Sequence, residues 1–284
     1  MNKLALLLEA IKFEHTIFAL PFAFLGAFLA ARGFPGWEIS FWIIMAMTGA
    51  RSAAMAFNRL ADRLDDRLNP RTADRALPRE LLSPQLVALF TLASSTLFIF
   101  SAWMLNDLAF HLSPIALMII LFYSYTKRFT SLSHLVLGLS LAIAPVGGWV
   151  AVQGEIQLAS FYVAAAVLFW VGGFDIIYAC QDYEFDRSFG RHSLPSKVGI
   201  KTALQISSWL HVLMMLVLIS AFLYFRLSLL SWIGLVLVGM GLTYEHSLVH
   251  PEDLSRLNAA FFTLNGLISS VLFVFVGLDL CLFP

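Results

Sequence analysis

Residues 58–66 read Asn-Arg-Leu-Ala-Asp-Arg-Leu-Asp-Asp, and they mark the point where an apolar segment ends in a run of charged residues. Asn58, Asp62 and Asp66 follow one another at intervals of four residues. On an α-helix this spacing places each side chain about one turn beyond the last and on one face. We call these three residues the first motif. Asp65 lies seven residues from Asn58, so helical rotation alone places it nearer to the face of Asn58 than Asp66.

A second set of polar residues ends another apolar segment about 120 residues later. Its spacings of 3, 7 and 11 residues return to within about 60° of one helix face. This second motif consists of Asp175, Tyr178, Asp182 and Asp186. Two groups of carboxylates repel each other unless a cation lies between them, and hard oxygen ligands favour Mg²⁺. We therefore predict an Mg²⁺ site whose ligands are Asn58, Asp62, one of Asp65 and Asp66, Asp182 and Asp186.

The composition indicates a membrane protein. The chain is 60% hydrophobic and 13% charged, with a mean hydropathy of +0.82, which is well outside the range of soluble domains. Nine apolar segments have roughly the length that a bilayer requires, so we predict an all-α, polytopic protein. The predicted spans are 15–33, 39–58, 85–104, 108–126, 133–152, 158–178, 203–222, 227–244 and 259–282.

The distribution of basic residues predicts the orientation of these spans. Of the 18 Lys and Arg residues, fifteen lie in segments on the side of the N-terminus, whereas Arg32 and Arg226 lie on the opposite side and Arg51 lies within a span. Because basic loops stay in the cytoplasm, we expect the N-terminus and the ends of both motifs to be cytoplasmic.

Two basic loops are candidates for a phosphate-binding site. Arg71 and Arg75 follow the first motif, and Lys127 and Arg128 form a short loop on the same side. Guanidinium groups pair with phosphate through two parallel hydrogen bonds, which favours a diphosphate as the ligand of these four residues. The alternative is that these charges serve only to orient the protein in the membrane.

Two charged residues lie deeper in the predicted bundle. Arg51 lies about 10 Å below Asn58 by helical rise, and Asp175 lies about 16 Å below Asp186. Charged groups at such positions are costly and usually face a cavity or a partner. We predict that Asp175 orients an acceptor substrate, with Arg51 as its counter-charge or as an anchor for the carboxylate of the acceptor. Asp175, Arg51 and Tyr178 are the candidate catalytic residues, and a purely structural ion pair between Arg51 and Asp175 is the alternative.

The motifs together resemble those of a known family. The first motif, followed by Arg71-Thr-Ala-Asp-Arg75-Ala-Leu-Pro78, resembles the first signature of the UbiA-type aromatic prenyltransferases. The pattern from Tyr178 through Asp182 to Asp186 resembles their second signature, and Tyr123-x3-Lys127-Arg128 resembles their basic loop. The resemblance extends over nearly the whole chain, and its spacing favours Asp66 over Asp65 as the metal ligand.

The resemblance implies a fold and an activity. The expected fold is a bundle of nine helices around a central cavity with cytoplasmic acidic loops, in a bacterial inner membrane. The expected reaction is Mg²⁺-dependent transfer of a polyprenyl group from polyprenyl diphosphate to a ring carbon of an aromatic acid, 4-hydroxybenzoate, in quinone biosynthesis. The expected partners are polyprenyl diphosphate, the aromatic acid and membrane lipid, and we expect no nucleic acid.

The segment 12–21 leaves the acceptor open. Its sequence, Lys-Phe-Glu-His-Thr-Ile-Phe-Ala-Leu-Pro, resembles a divergent branch of the family, some of whose members serve menaquinone synthesis through the futalosine route. Dihydroxynaphthoate is therefore the alternative acceptor. Glu14 and His15 have two interpretations, either as anchors to lipid headgroups or as polar groups that face the cavity.

We predict one domain over residues 1–284, built from two weakly repeated halves at about 1–130 and 131–284. Each half contains an apolar helix, a polar motif, arginines and then Leu-Pro. A secondary transporter is the alternative from another class, since it would also contain repeats and buried charges. Its polar groups, however, should lie near the middle of the membrane.

Overall fold

The structure is a computed structural model that describes residues 3–12, 16–257 and 263–283, without the side chains of residues 4 and 16–19. Within these ranges the regular structure is helical, apart from an isolated β-bridge between His250 and Asp253. A short 3-10 turn, Cys180–Asp182, separates two of the α-helices. The α-helices are α1 (Lys3–Ala10), α2 (Thr16–Ala31), α3 (Trp37–Leu68), α4 (Pro84–Leu105), α5 (Asp107–Thr126), α6 (Ser133–Gln153), α7 (Ser160–Ala179), α8 (Tyr183–Ser188), α9 (Leu194–Val198), α10 (Ile200–Phe225), α11 (Leu229–Ser247) and α12 (Asn265–Leu282).

The all-helical membrane architecture is confirmed. In the described part of the chain, eight helical segments are long and apolar enough to cross a membrane, namely α3, α4, α5, α6, α7 continued through α8, α10, α11 and α12. They coincide in order with eight of the nine predicted spans. The remaining predicted span, 15–33, falls on α2, of which the fully described part, Leu20–Ala31, is apolar but shorter than a spanning helix. A ninth span and the cytoplasmic orientation therefore remain predictions.

The main hydrophobic core lies between α2, α6, α7, α10, α11 and α12. Its buried side chains include Phe22, Trp170, Met214, Val238 and Val276, one from each of α2, α7, α10, α11 and α12. A fully buried side chain of this size contributes about 1.5–3 kcal/mol in water, whereas in lipid close packing supplies most of the stabilisation. These six helices thus form the closely packed part of the bundle.

Close backbone contact joins α2 to α6. A Cβ atom added to Gly26 would overlap the carbonyl oxygen of Pro145, and one added to Gly148 would overlap that of Ala23. Glycine allows two helices to approach in this way because no side chain separates their backbones. The contact fixes α6, and therefore the cavity wall that α6 forms, against α2.

The two motifs lie on helices that end differently. α3 has 32 residues and continues ten residues past the end of its predicted span, so it carries the whole first motif. The second motif does not lie on one continuous helix, as its predicted spacing assumed. Asp175 and Tyr178 lie on α7, Asp182 on the 3-10 turn and Asp186 on α8. A 3-10 turn winds more tightly than an α-helix, and this changes the direction in which the last two carboxylates point.

Candidate active site

The bundle encloses a cavity of about 1350 Å³ that is polar at one end and apolar along the rest. Carboxylates and cations of both motifs line the polar end, and Phe98, Ile119, Leu141 and Leu168 are among the apolar residues that line the remainder. The volume exceeds the 300–1,000 Å³ of ordinary small-molecule sites. The cavity therefore suits a large ligand with one charged end and a long apolar part.

Asp62 lies at the centre of the polar end and has an exposed fraction of 3%. Its Oδ2 accepts hydrogen bonds from Lys127 Nζ at 2.6 Å and from Asn58 Nδ2 at 3.1 Å. Its other oxygen, Oδ1, is buried and has no hydrogen-bond partner within the described part of the chain. The structure thus brings Lys127, a candidate diphosphate ligand, to the first motif, and one carboxylate oxygen remains available to a ligand.

Asp65 and Asp66 both line the cavity, and each pairs with a different arginine. Arg75 Nη1 donates to both oxygens of Asp66, at 2.8 and 2.9 Å. Arg191 donates to Oδ1 of Asp65, whose buried Oδ2 has no partner among the described residues. Both carboxylates therefore line the polar end, and each is held there by its own arginine.

Asp182 connects the second motif to the loop that follows the first. Arg71 donates two hydrogen bonds to the Asp182 carboxylate, from Nε to Oδ1 at 2.9 Å and from Nη2 to Oδ2. Asn69 Nδ2 donates a third hydrogen bond, to Oδ1, at 2.9 Å. Arg71 also donates to the Tyr178 hydroxyl at 3.2 Å. Burial disfavours the charge on Arg71, but its hydrogen bond to Asp182 and the charge of that carboxylate outweigh burial and raise the pKa of the guanidinium.

The remaining predicted residues fall into two groups. Asp186 lines the cavity next to Ser193. Arg128 lies outside the cavity lining, where it donates to the backbone oxygen of Ala61 and lies over the ring of Tyr125 at 5.0 Å. Of the two neighbouring cations in this loop, the structure therefore places Lys127 at the cavity and Arg128 away from it. Glu14 and His15 fall outside the described residues.

Arg51 and Asp175 line the cavity, but they do not pair with each other among the described residues. Among the described residues, the buried Nε atom of Arg51 has no hydrogen-bond partner. Asp175 instead bonds through Oδ2 to Nδ1 of His134, on α6, at 2.7 Å. The structure therefore does not contain the Arg51–Asp175 ion pair that was one of the alternatives, and Arg51 remains a candidate anchor for the acceptor carboxylate.

Sequence reasoning missed three residues of the site, namely Asn69, His134 and Arg191. Arg191 lies next to the second motif and is basic, so its type and position could have suggested it. Asn69 and His134 are single polar residues without a recognisable spacing, and only the fold brings them to Asp182 and Asp175.

The donor set fits Mg²⁺, although the carboxylates are not gathered around a shared centre. Among the described residues, no three His, Cys, Asp or Glu side chains already form a metal-binding group. The available donors are nevertheless hard oxygens, the type that Mg²⁺ prefers, and Oδ1 of Asp62 and Oδ2 of Asp65 are buried without partners. Satisfying such atoms with a cation would remove the cost of leaving them unpaired.

Several known proteins are similar to this chain in sequence and in fold. The chain is 29% identical over 253 residues to a 4-hydroxybenzoate octaprenyltransferase of Vesicomyosocius okutanii subsp. Calyptogena okutanii (strain HA), a match that covers 89% of this chain and 92% of that protein. The apo structure of a UbiA homolog from Aeropyrum pernix K1 is 35% identical, with a TM-score of 0.86 over 94% of this chain and 98% of that one.

A more distant structure shares the fold. A UbiA homolog from Archaeoglobus fulgidus, solved with GPP and Mg²⁺, is 20% identical, with a TM-score of 0.75 over 97% of this chain and 99% of that one. The profile of the UbiA prenyltransferase family matches residues 19–267, which include both motifs and every cation that pairs with them. With most of its length matched and its site residues inside that match, the chain belongs to the UbiA prenyltransferase family.

Proposed function

We propose that this protein transfers a polyprenyl group from polyprenyl diphosphate to a ring carbon of an aromatic acid, with Mg²⁺, in the synthesis of a quinone. The observation that carries the proposal is the division of one cavity into a carboxylate-and-cation end and a long apolar part. A prenyl diphosphate has the same two parts. The names of the relatives support the aromatic acid, since the protein from Vesicomyosocius okutanii is named for 4-hydroxybenzoate.

The polar end can hold the diphosphate. Four carboxylates are each bonded to one Lys or Arg, so the formal charges of these four ion pairs sum to zero. The pairs are Asp62 with Lys127, Asp65 with Arg191, Asp66 with Arg75, and Asp182 with Arg71. When these pairs open, the cations can donate to phosphate oxygens while the carboxylates bind metal. The exchange leaves no buried charge of this group without a partner.

The leaving group is activated at this end. Mg²⁺ held by Asn58, Asp62, Asp66, Asp182 and Asp186 would neutralise the negative charge that develops on the departing diphosphate. Lys127, Arg71 and Arg75 assist by donating hydrogen bonds to that charge. The bond between the allylic carbon and the diphosphate oxygen breaks, and the bonding electrons leave with the diphosphate.

The apolar part holds the prenyl chain and the cation that forms. Phe22, Trp170 and Phe174 line the cavity, and a ring well placed over a cation stabilises it by about 0.5–2 kcal/mol. The apolar lining also keeps water from the cation, which favours attack by the acceptor over hydrolysis.

Arg51 and Asp175 are the proposed acceptor site. The buried, unpartnered Nε of Arg51 suits the carboxylate of an aromatic acid. Asp175 accepts the hydrogen bond of the acceptor hydroxyl and favours its deprotonation, which makes the ortho carbon electron-rich. That carbon forms the new C–C bond, and the ring then loses its proton. Tyr178 lies between this pair and the diphosphate end, where Arg71 already contacts its hydroxyl.

The family and the eight apolar helical segments support an integral, multi-pass membrane protein. We place it in a bacterial inner membrane with its polar end towards the cytoplasm, as the basic loops predict. Dihydroxynaphthoate, in menaquinone synthesis, is the alternative acceptor, because the segment 12–21 resembles a divergent branch of the family, some of whose members serve menaquinone synthesis.

The test is product formation by the purified protein in lipid nanodiscs. Prenyl diphosphates of several lengths are supplied with Mg²⁺ and with 4-hydroxybenzoate or dihydroxynaphthoate, and the products are weighed by mass spectrometry. We expect one acid to gain one prenyl group with loss of one ring hydrogen, and EDTA to stop the reaction. If neither acid were prenylated with any chain length, the proposed reaction would be refuted.

A further inference from the structure

His134 is a buried histidine whose two ring nitrogens are both engaged. Its side chain has an exposed fraction of 6%, and it lies on α6 opposite Asp175 of α7. Nδ1 lies 2.7 Å from Oδ2 of Asp175, and Nε2 accepts a hydrogen bond from the backbone N–H of Leu194 at 3.2 Å. His134 also lines the cavity.

The backbone contact defines the tautomer of His134. A peptide N–H can only donate, so Nε2 must carry a lone pair. In the neutral ring the proton then lies on Nδ1, and that N–H donates to Asp175. A proton on Nε2 would face the N–H of Leu194, so the Leu194 contact favours the tautomer with the proton on Nδ1.

The same contact ties His134 to the diphosphate end. Leu194 follows a short segment, Arg191–Ser193, whose three residues contact three other parts of the chain. Arg191 bonds to Asp65 on α3, the backbone N–H of His192 bonds to the backbone oxygen of Lys127 at 2.9 Å, and Ser193 lies next to Asp186. The backbone position of Leu194 is therefore held by the part of the site that faces the diphosphate.

We infer that His134 is a positioning residue for the transfer step: it holds Oδ2 of Asp175, so that Oδ1 alone faces the acceptor hydroxyl. No described group donates to Oδ1. His134 itself cannot take the acceptor proton, because its lone pair is used by Leu194 and its proton by Asp175. This inference rests on the proposed function, in which Asp175 orients the acceptor.

Two substitutions separate the two nitrogens of His134. The amide nitrogen of Asn, like Nδ1 of His, is bonded to Cγ, so His134→Asn keeps a donor towards Asp175. The amide nitrogen of Gln is bonded to Cδ, as Nε2 is, so His134→Gln loses that donor. His111→Gln is the matched control, because His111 lies outside the cavity lining and bonds to the backbone oxygen of Asp107 on its own helix.

The first readout compares how much each substitution changes kcat with how much it changes the affinity for a prenyl diphosphate analogue. For His134→Gln we expect kcat to fall on the order of 10²-fold, as expected when a reacting group is misplaced, with the Kd of an unreactive prenyl thiolodiphosphate nearly unchanged. His134→Asn should recover most of that loss, and His111→Gln should match the wild type. Equal losses in both His134 variants, wild-type turnover in His134→Gln, or a joint loss of diphosphate binding would overturn the inference.

The second readout does not depend on any acceptor. In protein labelled with ¹⁵N-histidine, the signal that disappears in His134→Asn belongs to His134. We expect it to show a protonated Nδ1 and an unprotonated Nε2, and Asp175→Asn should shift the Nδ1 signal. A protonated Nε2 would refute the positioning role. If the wild type prenylates neither acid, that outcome counts against the proposed function, and this measurement still decides separately whether Nδ1 of His134 holds Oδ2 of Asp175.

Discussion

Lys127 and Arg128 are adjacent cations in one loop, and the structure gives them different positions. Lys127 Nζ bonds to the buried Asp62 at the cavity, whereas Arg128 bonds to a backbone oxygen outside it. Substituting each in turn with Met removes one positive charge from the same loop, so any effect on membrane orientation should be equal. A difference between the two variants therefore reports the diphosphate site.

The expected magnitude follows from one lost hydrogen bond to a charged group. Such a bond contributes about 1.5–3 kcal/mol, which corresponds to about 10- to 150-fold in affinity. The side chain of Lys127 has an exposed fraction of 38%, and solvent weakens its interaction. We therefore expect Lys127→Met to weaken binding of a prenyl diphosphate by about tenfold, at the lower end of that range.

Binding of Mg²⁺ alone should change in the opposite direction. In the metal-free protein Lys127 competes with a cation for Asp62, and Lys127→Met removes this competitor. We expect the variant to bind Mg²⁺ more tightly than the wild type does. Arg128→Met should leave both affinities near those of the wild type.

Isothermal titration calorimetry measures both affinities in one preparation. Mg²⁺ is titrated first, and an unreactive prenyl thiolodiphosphate is then titrated in saturating Mg²⁺. Equal weakening in the two variants, or no weakening in Lys127→Met, would show that these residues act only as orientation signals. Weaker Mg²⁺ binding in Lys127→Met would contradict the exchange of partners at Asp62.

Four further predictions concern other parts of the molecule. Asp62→Ala and Asp182→Ala should each reduce turnover below detection in folded protein, measured by product mass; full activity in either variant, or in EDTA, would contradict the metal site. Asp175→Asn should bind prenyl diphosphate normally and lose most transfer, so a joint loss of both by calorimetry and product assay would remove its acceptor role. Arg51→Met should raise the KM for the aromatic acid by about tenfold or more, since a charge-assisted bond is lost, with diphosphate binding unchanged. Gly148→Ala should lower stability by about 1–3 kcal/mol because its Cβ would press on α2; an unchanged thermal midpoint would argue against this close contact.

The helical spacing of the first motif predicted its geometry well. Intervals of four residues place Asn58, Asp62 and Asp66 on one face of α3, and all three line the cavity. This prediction needs only local information, because the pitch of an α-helix is nearly constant. The spacing of the second motif was less informative, since a 3-10 turn interrupts the helix between Tyr178 and Asp182.

The partners of the carboxylates could not be predicted in this way. Lys127 lies 65 residues from Asp62, and Arg191 lies 126 residues from Asp65. Pairs so distant in sequence depend on how whole helices pack, and no local pattern encodes this. The same limit applies to Asp175, because no local pattern indicates that the fold brings His134, 41 residues away in sequence, to its carboxylate.

The length of α3 has a consequence for how the two products separate. Its 32 residues span about 48 Å, whereas the apolar part of a bilayer is about 30 Å thick. If α3 crosses the membrane, the turns that carry Asp62 and Asp66 reach the headgroup region, where water begins. Under the proposed reaction, diphosphate is released next to water, while the prenylated acid remains among lipid chains. The two products then enter different phases, so they seldom meet again and the reverse reaction is suppressed without a separate gate.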